Sequence, residues 1–361
     1  MADPNRSETR RRRSAAAAAV IALAFSTAAC DLDAVSGTST GADAGVFYGL
    51  GDDHHLYRWD PDADNGSATG DGTVSGAVDS VLDLSGVWDQ EGDVGTVLRA
   101  SLSIDPRQRY AAWVEGASPE ASLKIGDLET GAIETAAAYP VDHACIDPAW
   151  LADGSAVLVH RAAVWGNGTD PAAEGDATPL PIEVWGPTEW YSPEAGALPT
   201  TVDLEPEGCR LRWYTAEDGT AQAIYHNPDV TELYRIDASG QVLETIPVAS
   251  LQGSHPLTIG LVGVDPSGRY ACVVDGYGPE GAFKGGFTMR AEAGTRVLDL
   301  ENGEAVGAED TGCVSLHEDG YVSRDGAEVA FIGYDGAQQW PTELPDQIAE
   351  SPVLFFAPNE S

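Results

Sequence analysis

Residues 265–274 read Asp265-Pro266-Ser267-Gly268-Arg269-Tyr270-Ala271-Cys272-Val273-Val274. A polar turn containing Gly leads here directly into a short apolar run. Glycine supplies the positive φ that tight hairpin turns require, so the pattern predicts a turn between two antiparallel strands. Related copies of this element begin at Asp105, Asp153, Asp218 and Arg324. A sequence that repeats such an element predicts a repeat architecture.

A second element follows these copies at a variable distance. It is a short strand that closes in an Asp-to-Gly turn, and it occupies residues 123–131, 233–240 and 296–303. Near the N-terminus, residues 46–50 and 56–60 fit the two elements in the same order. Together they define six copies, which begin near residues 46, 98, 145, 209, 257 and 313.

The copies predict an all-β chain, because apolar runs broken by Gly, Pro, Asp and Asn continue to Phe356 with no evident helical stretch. Four short strands in a repeat of this size are typical of a propeller blade. We therefore expect one β-propeller domain over residues 46–361, with six four-stranded blades and seven as the alternative count.

Two copies depart from the pattern. Residues 190–196 replace the Asp-to-Gly turn of the third copy, and residues 353–356 end the last copy without an evident fourth strand. We expect the N-terminal segment to supply that strand. It would thereby close the ring and remove the exposed sheet edges.

The repeats resemble those of TolB-type, WD-like β-propellers. The resemblance is carried by Asp-Pro-Ser-Gly-Arg-Tyr at 265–270, Ala-Asp-Gly-Ser-Ala at 152–156, Leu-Tyr-Arg-Ile-Asp at 233–237 and Lys-Ile-Gly-Asp-Leu at 124–128. It covers most of residues 46–357 and implies the fold. It implies little about function, since that family includes protein-binding scaffolds, enzyme accessory domains and exported proteins of unknown role.

Residues 1–29 have the pattern of a signal peptide. Four arginines at 10–13 precede an apolar run at 15–25 that is too short to span a membrane. The segment ends at Cys30 in a motif that resembles the lipobox of bacterial lipoproteins, although Thr27 stands where Leu is usual. We expect Cys30 to carry lipid, residues 30–45 to form a flexible tether, and the protein to be anchored on the outer face of the cell membrane. Ordinary cleavage, giving a secreted protein, is the alternative.

The four cysteines that follow Cys30 are Cys145, Cys209, Cys272 and Cys313. An even number in an exported chain indicates two disulfides, in one of three pairings. We expect sequence neighbours to pair, Cys145 with Cys209 and Cys272 with Cys313, which would link adjacent blades.

The charge limits the partners. With 58 acidic and 19 basic residues among 361, the formal net charge is −39. Nucleic acid is excluded as a partner, because its affinity depends on Lys and Arg that neutralise phosphates. The acidic surface serves either solubility or the attraction of cations and basic partners.

Loops that join the second and third strands of a blade share one face of a propeller with the connections between blades. Long connections are predicted there at residues 162–181, 277–294 and 337–351, and aromatic side chains in them are candidate partner anchors. Alternatively, these aromatics pack on their own loops. Two loop histidines near the channel mouth could bind metal, shuttle protons or do neither. The candidate partner-binding residues are Trp165, Tyr277, Phe283, Phe287, Trp340, His143 and His255.

A possible Ca²⁺ loop lies on the opposite face. Asp60, Asp62, Asp64 and Asp71 occupy positions 1, 3, 5 and 12 of a twelve-residue segment, as the ligands of a calcium loop do. Asn65 replaces the usual Gly at position six, and Asp71 replaces the longer Glu. An acidic solvated turn is the alternative. Calcium is the one cofactor that the sequence suggests.

These features favour a non-catalytic, monomeric propeller, tethered to the membrane by lipid, that binds an envelope protein or another envelope component through the face carrying the long loops. The alternatives are a hydrolase or lyase acting on carbohydrate at the channel mouth, and a lipoprotein that binds a small ligand or glycan. The sequence shows no His-Glu-x-x-His motif. Its Gly-x-Ser-x-Gly match at residues 37–41 falls in the expected tether, and its Gly-x-Gly-x-x-Gly match at residues 276–281 falls in a predicted connection, so neither has the strand-turn-helix setting of a nucleophile elbow or a phosphate-binding loop.

Overall fold

The turn at residues 265–268 has the conformation that its sequence predicts. In the computed structural model Gly268 has a φ of 72°, and its N–H donates to the carbonyl of Asp265 at 2.9 Å. The strand Tyr270–Val274 follows. The structure describes residues 45–61, 63, 76–87, 101–115, 121–139, 148–159, 189–194, 209–226, 232–247, 260–274, 295–307, 312–351 and 353–358. All of them belong to one compact unit, Thr40–Ser361.

The strands form six antiparallel sheets, which are the blades of a propeller. Blade 1 contains β1 (Val46–Leu50), β2 (His55–Asp60), β3 (Ala77–Asp83) and β23 (Leu354–Ala357). Blade 2 contains β4 (Ser103–Ile104), β5 (Tyr110–Glu115), β6 (Ala121–Asp127) and β7 (Ile133–Tyr139). The described strands of blade 3 are β8 (Ala149–Trp150), β9 (Val157–Val159) and β10 (Glu189–Tyr191).

The remaining three blades follow in chain order. Blade 4 contains β11 (Cys209–Thr215), β12 (Ala221–His226), β13 (Glu232–Asp237) and β14 (Val242–Pro247). Blade 5 contains β15 (Gly260–Val264), β16 (Tyr270–Val274), β17 (Thr295–Asp299) and β18 (Ala305–Val306). Blade 6 contains β19 (Cys313–His317), β20 (Gly320–Asp325), β21 (Glu328–Gly333) and β22 (Gln338–Glu343).

A short helix, α1 (Asp346–Ala349), leads from blade 6 into β23. No helix among the described residues is both long enough and apolar enough to cross a membrane. The prediction of an all-β propeller with six blades is confirmed, and the alternative count of seven is wrong.

The core consists of layers between neighbouring blades. In β5, Ala111 and Trp113 pack toward blade 1, whereas Ala112 and Val114 pack toward blade 3. Successive side chains of a strand point to opposite faces of its sheet, so a strand that is covered on both faces reads as a continuous apolar run. Six buried clusters fill the six interfaces between blades. The apolar runs of the repeat are therefore explained by the burial of both faces.

The ring closes by pairing the two ends of the propeller. Phe47 of β1 lies opposite Phe356 of β23, with ring centroids 4.8 Å apart. Blade 6 is complete without the N-terminal segment, so the expected direction of closure is wrong: the C-terminal strand completes blade 1. The reason is that β22 already supplies the outer strand of blade 6. Phe356 also contacts His317 edge-on at 5.1 Å, and burial lowers the pKa of His317 to about 4.

One copy of the repeat is displaced within its blade. The element that begins at Arg324 connects β20 to β21, which are the second and third strands of blade 6. The turn contains Gly326, which has a φ of 62°. In blades 2 to 5 the corresponding element lies between the first and second strands. Between its first and second strands, blade 6 has a tighter hairpin, in which His317 pairs with Gly320. This hairpin contains a different Asp-Gly pair, Asp319 and Gly320.

The closure can be tested by truncating Phe356, which is 8% exposed at the joint between blades 6 and 1. We expect Phe356→Ala to lower the free energy of unfolding by about 3–5 kcal/mol, because the truncation leaves a cavity between two blades. Urea unfolding measures the loss. Ile133→Ala is the matched control, since Ile133 is 41% exposed on an outer strand and should cost under about 1 kcal/mol. Equal costs would contradict the closure.

Candidate functional site

The propeller has two faces of different character. We call the turn face the one that carries the turns between first and second strands and between third and fourth strands. The loop face is the opposite one, where the second strand ends and the third begins, and where the chain passes between blades. Most described turns of the turn face are anchored by an Asp carboxylate; Asp265, for example, accepts the N–H of Tyr270 at Oδ1.

A cleft of about 550 Å³ opens on the turn face, at the junction of blades 1, 2 and 3. This volume falls in the range of pockets that hold small ligands, about 300–1,000 Å³. Two of the chain's few cationic side chains meet several carboxylates there. The lining residues are Tyr48, Arg58, Val81, Gln108, Arg109, Tyr110, Asp127, Leu128, Glu129 and Glu194.

Gln108 is held in a backbone conformation that favours glycine. Its φ is 57°, and the matching positions in the first turns of blades 3, 4 and 5 are all Gly. A side chain at such a position costs of order 1 kcal/mol or more. The amide of Gln108 accepts from the hydroxyl of Tyr48 at 3.1 Å and donates to the carbonyl of Pro358 at 3.4 Å. The strained residue therefore connects blade 2 to β1 and to the residue that follows β23.

Arg109 departs from its counterpart in blade 5. Arg269 folds back within its own blade and donates to Asp299 at 2.7 Å. Arg109 instead pairs with Glu194 of blade 3, across the gap between blades. As a result, Asp127, which occupies the position of Asp299, receives only backbone donors in the described contacts, from Glu129 and Thr130.

The buried carboxylate of Asp105 contacts Arg109. Asp105 is 1% exposed, and its Oδ1 accepts the N–H groups of Arg109 at 2.5 Å and Tyr110 at 2.8 Å. Its Oδ2 lies 3.8 Å from Nε of Arg109. Burial raises the pKa of Asp105, whereas these backbone hydrogen bonds oppose the rise. The turn that presents Gln108 and Arg109 is thereby fixed to the body of blade 2.

The cleft offers hydrogen bonds and charge more than stacking surfaces. The ring of Tyr110 packs against Trp150, with centroids 6.5 Å apart, and the guanidinium of Arg109 lies 5.4 Å from its centroid. Tyr48 is 2% exposed, and its hydroxyl donates to Gln108. Arg58 is held by Asp60 at 3.3 Å. Such fixed donors and acceptors suit a polar ligand with several hydroxyl or amide groups.

Two of the three predicted long connections are placed as expected. Residues 160–188 join β9 to β10, and residues 275–294 join β16 to β17, so both connections begin and end at the loop face. The third prediction is wrong, because Trp340 lies in β22 rather than in a loop. Residues 337–351 contain an outer strand and the passage between blades. The other candidate partner residues lie outside the described residues: Trp165, Tyr277, Phe283, Phe287, His143 and His255.

The proposed Ca²⁺ loop is described at one of its four carboxylates. Asp60 ends β2, and it accepts from Arg58 and from the N–H of Ala63. Asp62, Asp64 and Asp71 lie outside the described residues, so calcium binding stays a prediction. Within the described part of the chain, no three His, Cys, Asp or Glu side chains are grouped to hold a metal ion.

The structure brings Cys272 and Cys313 together between blades 5 and 6, but as free thiols. The thiol of Cys272 donates to the carbonyl of Cys313 at 3.3 Å, and the pairing of the two cysteines stays a prediction. Cys209 begins β11, whereas Cys145 and the lipidation candidate Cys30 lie outside the described residues. The pairing of Cys145 with Cys209 therefore stays a prediction.

Sequence reasoning missed the turn-face cleft. A signal was available, because aligning the first turns of the blades shows Gln108 where the other copies have Gly154, Gly219 and Gly268. A residue that departs from glycine at a positive-φ position indicates a role for its side chain. The ion pair between Arg109 and Glu194 had no such signal, since it joins residues of different blades.

The sheets and their closure define this protein as a β-propeller. No family model matches the chain, and no curated protein matches it. Among solved structures, it is similar to TolB from Acinetobacter baumannii, with 14% identity, a TM-score of 0.49, and coverage of 88% of this chain and 68% of that one. It is also similar to a chain of a nidogen/laminin complex, with 9% identity, a TM-score of 0.47, and coverage of 88% and 100%. These similarities concern the fold alone.

The role of Gln108 can be tested by exchanging residues between equivalent turns. We expect Gln108→Gly to change the free energy of unfolding by under about 1 kcal/mol, because relief of backbone strain offsets the lost hydrogen bonds. Gly268→Gln should cost about 3 kcal/mol, since a Cβ there would lie 2.3 Å from Cζ of Tyr214. Urea unfolding of both variants gives the comparison. A large loss in Gln108→Gly would show that the side chain serves the fold.

Proposed function

We propose that this protein is an exported, membrane-tethered β-propeller that binds a protein or another cell-envelope component through its loop face, without turning it over. The observation that carries the proposal is the placement of the two long connections, residues 160–188 and 275–294, at the same face in blades 3 and 5. In blade 6 the equivalent connection is a two-residue turn, Gly326 and Ala327. The two longest connections between consecutive described strands thus begin and end at one face of a rigid scaffold, and binding residues tend to lie in such loops.

The tether is supported by the N-terminal sequence. The apolar run at 15–25 is preceded by arginines and followed by Cys30, which fits export followed by lipid attachment at the new N-terminus. One acyl chain binds a membrane only marginally, so stable anchoring needs more than one. Strand β1 begins at Val46, and the segment proposed as the tether, residues 30–45, precedes it.

The turn-face cleft favours a second candidate function, the binding of a small polar ligand such as a glycan. Its volume of about 550 Å³ suits a ligand of that size. Gln108, Arg58 and Arg109 provide donors and acceptors whose directions are set by the contacts described above. Asp127 and Glu129 add carboxylates that can accept hydroxyl groups.

Lipid attachment can be tested in cells. We expect the full chain expressed in a bacterium to incorporate an alkyne-tagged palmitate and to fractionate with membranes. Cys30→Ser should lose both the label and the membrane association, because the thiol is the attachment point. Cys209→Ser is the control, since it also removes one cysteine but leaves the attachment point in place, and it should keep the label. Labelling that survives Cys30→Ser would contradict the tether.

The binding face can be tested with variants that affect one face at a time. The mature chain is used to capture cross-linked partners from detergent-solubilised envelope, with quantification by mass spectrometry. We expect replacement of Trp165, Phe283 and Phe287 by Ser to reduce capture at least tenfold, because aromatic side chains are frequent anchors of interfaces. Gln108→Gly should capture as much as the wild type.

The opposite result in the capture experiment would place the binding site on the turn face. If Gln108→Gly loses the partner and the aromatic variant retains it, the turn-face cleft is the binding site, and calorimetric titration with cell-wall oligosaccharides follows. If no partner is enriched over an unrelated acidic protein, and no oligosaccharide binds, the proposed function is wrong.

A further inference from the structure

Two buried thiols meet between blades 5 and 6. Cys272 lies in β16 with no exposed surface, and Cys313 begins β19 with 5% exposure. Both belong to one apolar cluster with Val297, Leu316 and Tyr321. The ladder of β19 with β20 is irregular directly after Cys313. Irregularities of this kind re-aim side chains, and this one lies where Cys313 turns toward blade 5.

The carbonyl oxygen of Cys313 also joins blade 6 to both strands that border residues 275–294. It accepts from the thiol of Cys272 at 3.3 Å and from the hydroxyl of Thr295 at 3.4 Å. Cys272 is two residues before the end of β16, and Thr295 is the first residue of β17. The cysteine pair therefore lies at the root of the long connection of blade 5.

We propose that Cys272 and Cys313 form a disulfide that fixes the root of residues 275–294 to blade 6. Each thiol loses one proton and one electron as the S–S bond forms. Oxidised glutathione, the oxidant we name, takes up the two electrons and two protons and becomes two molecules of glutathione. The inference depends on the two side chains alone, and it does not depend on what the loop face binds.

The chemistry of the pair sets when the bond forms. Thiolate is the attacking species in disulfide exchange. Burial, followed by the neighbouring thiol of Cys272, raises the pKa of Cys313 well above its usual range. The folded, reduced protein therefore resists oxidation, and the bond forms while the chain folds, before the layer between blades 5 and 6 is packed.

The experiment compares two preparations of the mature chain. One is refolded from urea in a mixture of reduced and oxidised glutathione, and the other is refolded and kept in dithiothreitol. Free thiols are alkylated in urea, so that buried thiols are labelled too, and the protein is then digested without reduction and mapped by mass spectrometry. We expect a linked pair of peptides carrying Cys272 and Cys313 in the oxidised preparation. We also expect its thermal midpoint to exceed that of the reduced protein by about 5 °C.

Two comparisons make the result specific. In the oxidised preparation of Cys272→Ala, Cys313 should be fully alkylated. The oxidised and reduced preparations of this variant should no longer differ in thermal midpoint by the amount that the Cys272–Cys313 bond contributes. Amide exchange at Val273 and Val274 should slow at least tenfold in the oxidised wild type relative to the reduced one. If Cys272→Ala fails to fold, mapping of the wild type decides alone.

Three results would overturn the proposal. The first is alkylation of both Cys272 and Cys313 in an oxidised preparation whose circular dichroism is native. The second is a bond from either residue to Cys145 or Cys209. The third is rapid oxidation of the folded, reduced protein, which would contradict the timing that burial imposes. None of these depends on partner capture, so this test and that of the proposed function fail independently.

Discussion

Each blade has two apolar faces, and neither can be left in water. In β5 the side chains of Ala111 and Trp113 are buried on one side and those of Ala112 and Val114 on the other. A blade of this kind needs a neighbouring blade on each face, and each neighbouring blade needs a further blade on its other face. Only a closed ring satisfies every member, because an open row would leave an apolar face at each end. The two ends of the propeller therefore have to meet, and they do so where Phe47 lies opposite Phe356.

The turns that connect the strands of the blades account for part of the acidic composition. Asp83, Asp218 and Asp237 lie in turns, and each accepts a Ser or Thr hydroxyl two residues later at 2.6 Å. That hydroxyl bond is the largest influence on these carboxyls, and it holds their pKa below the usual range. A carboxyl whose pKa is lowered by folding stabilises the folded state above its unfolded pKa. This contribution is lost as the pH falls through the folded value. Asp is thus used as a turn-forming residue, and each copy adds negative charge.

The local part of the fold could be predicted from the sequence, and the long-range part could not. Turns such as the one at Gly268 are determined by a few adjacent residues, so five of the six predicted copy starts fall near the first strand of a blade. The exception is residue 46, which begins the second strand of blade 1. Closure by β23 joins residues at opposite ends of the chain, and no local pattern reports it. Trp340 was misplaced because the turn that ends at Gly336 resembles the start of a loop, whereas it is a short hairpin turn and β22 begins at Gln338.

The candidate cleft shows where function can arise in a repeated fold. Equivalent positions in different blades meet nearly the same structural demands, so a difference between copies requires another explanation. Arg269 satisfies the turn of its own blade through Asp299, and the same arrangement was available to Arg109 with Asp127. Arg109 instead reaches Glu194 of the next blade, while Gln108 occupies a position that glycine would fill at lower cost. Part of the explanation is structural, since Arg109 joins blade 2 to blade 3 and Gln108 joins blade 2 to blade 1. Both residues line the same cleft, and a polar ligand held there would account for both.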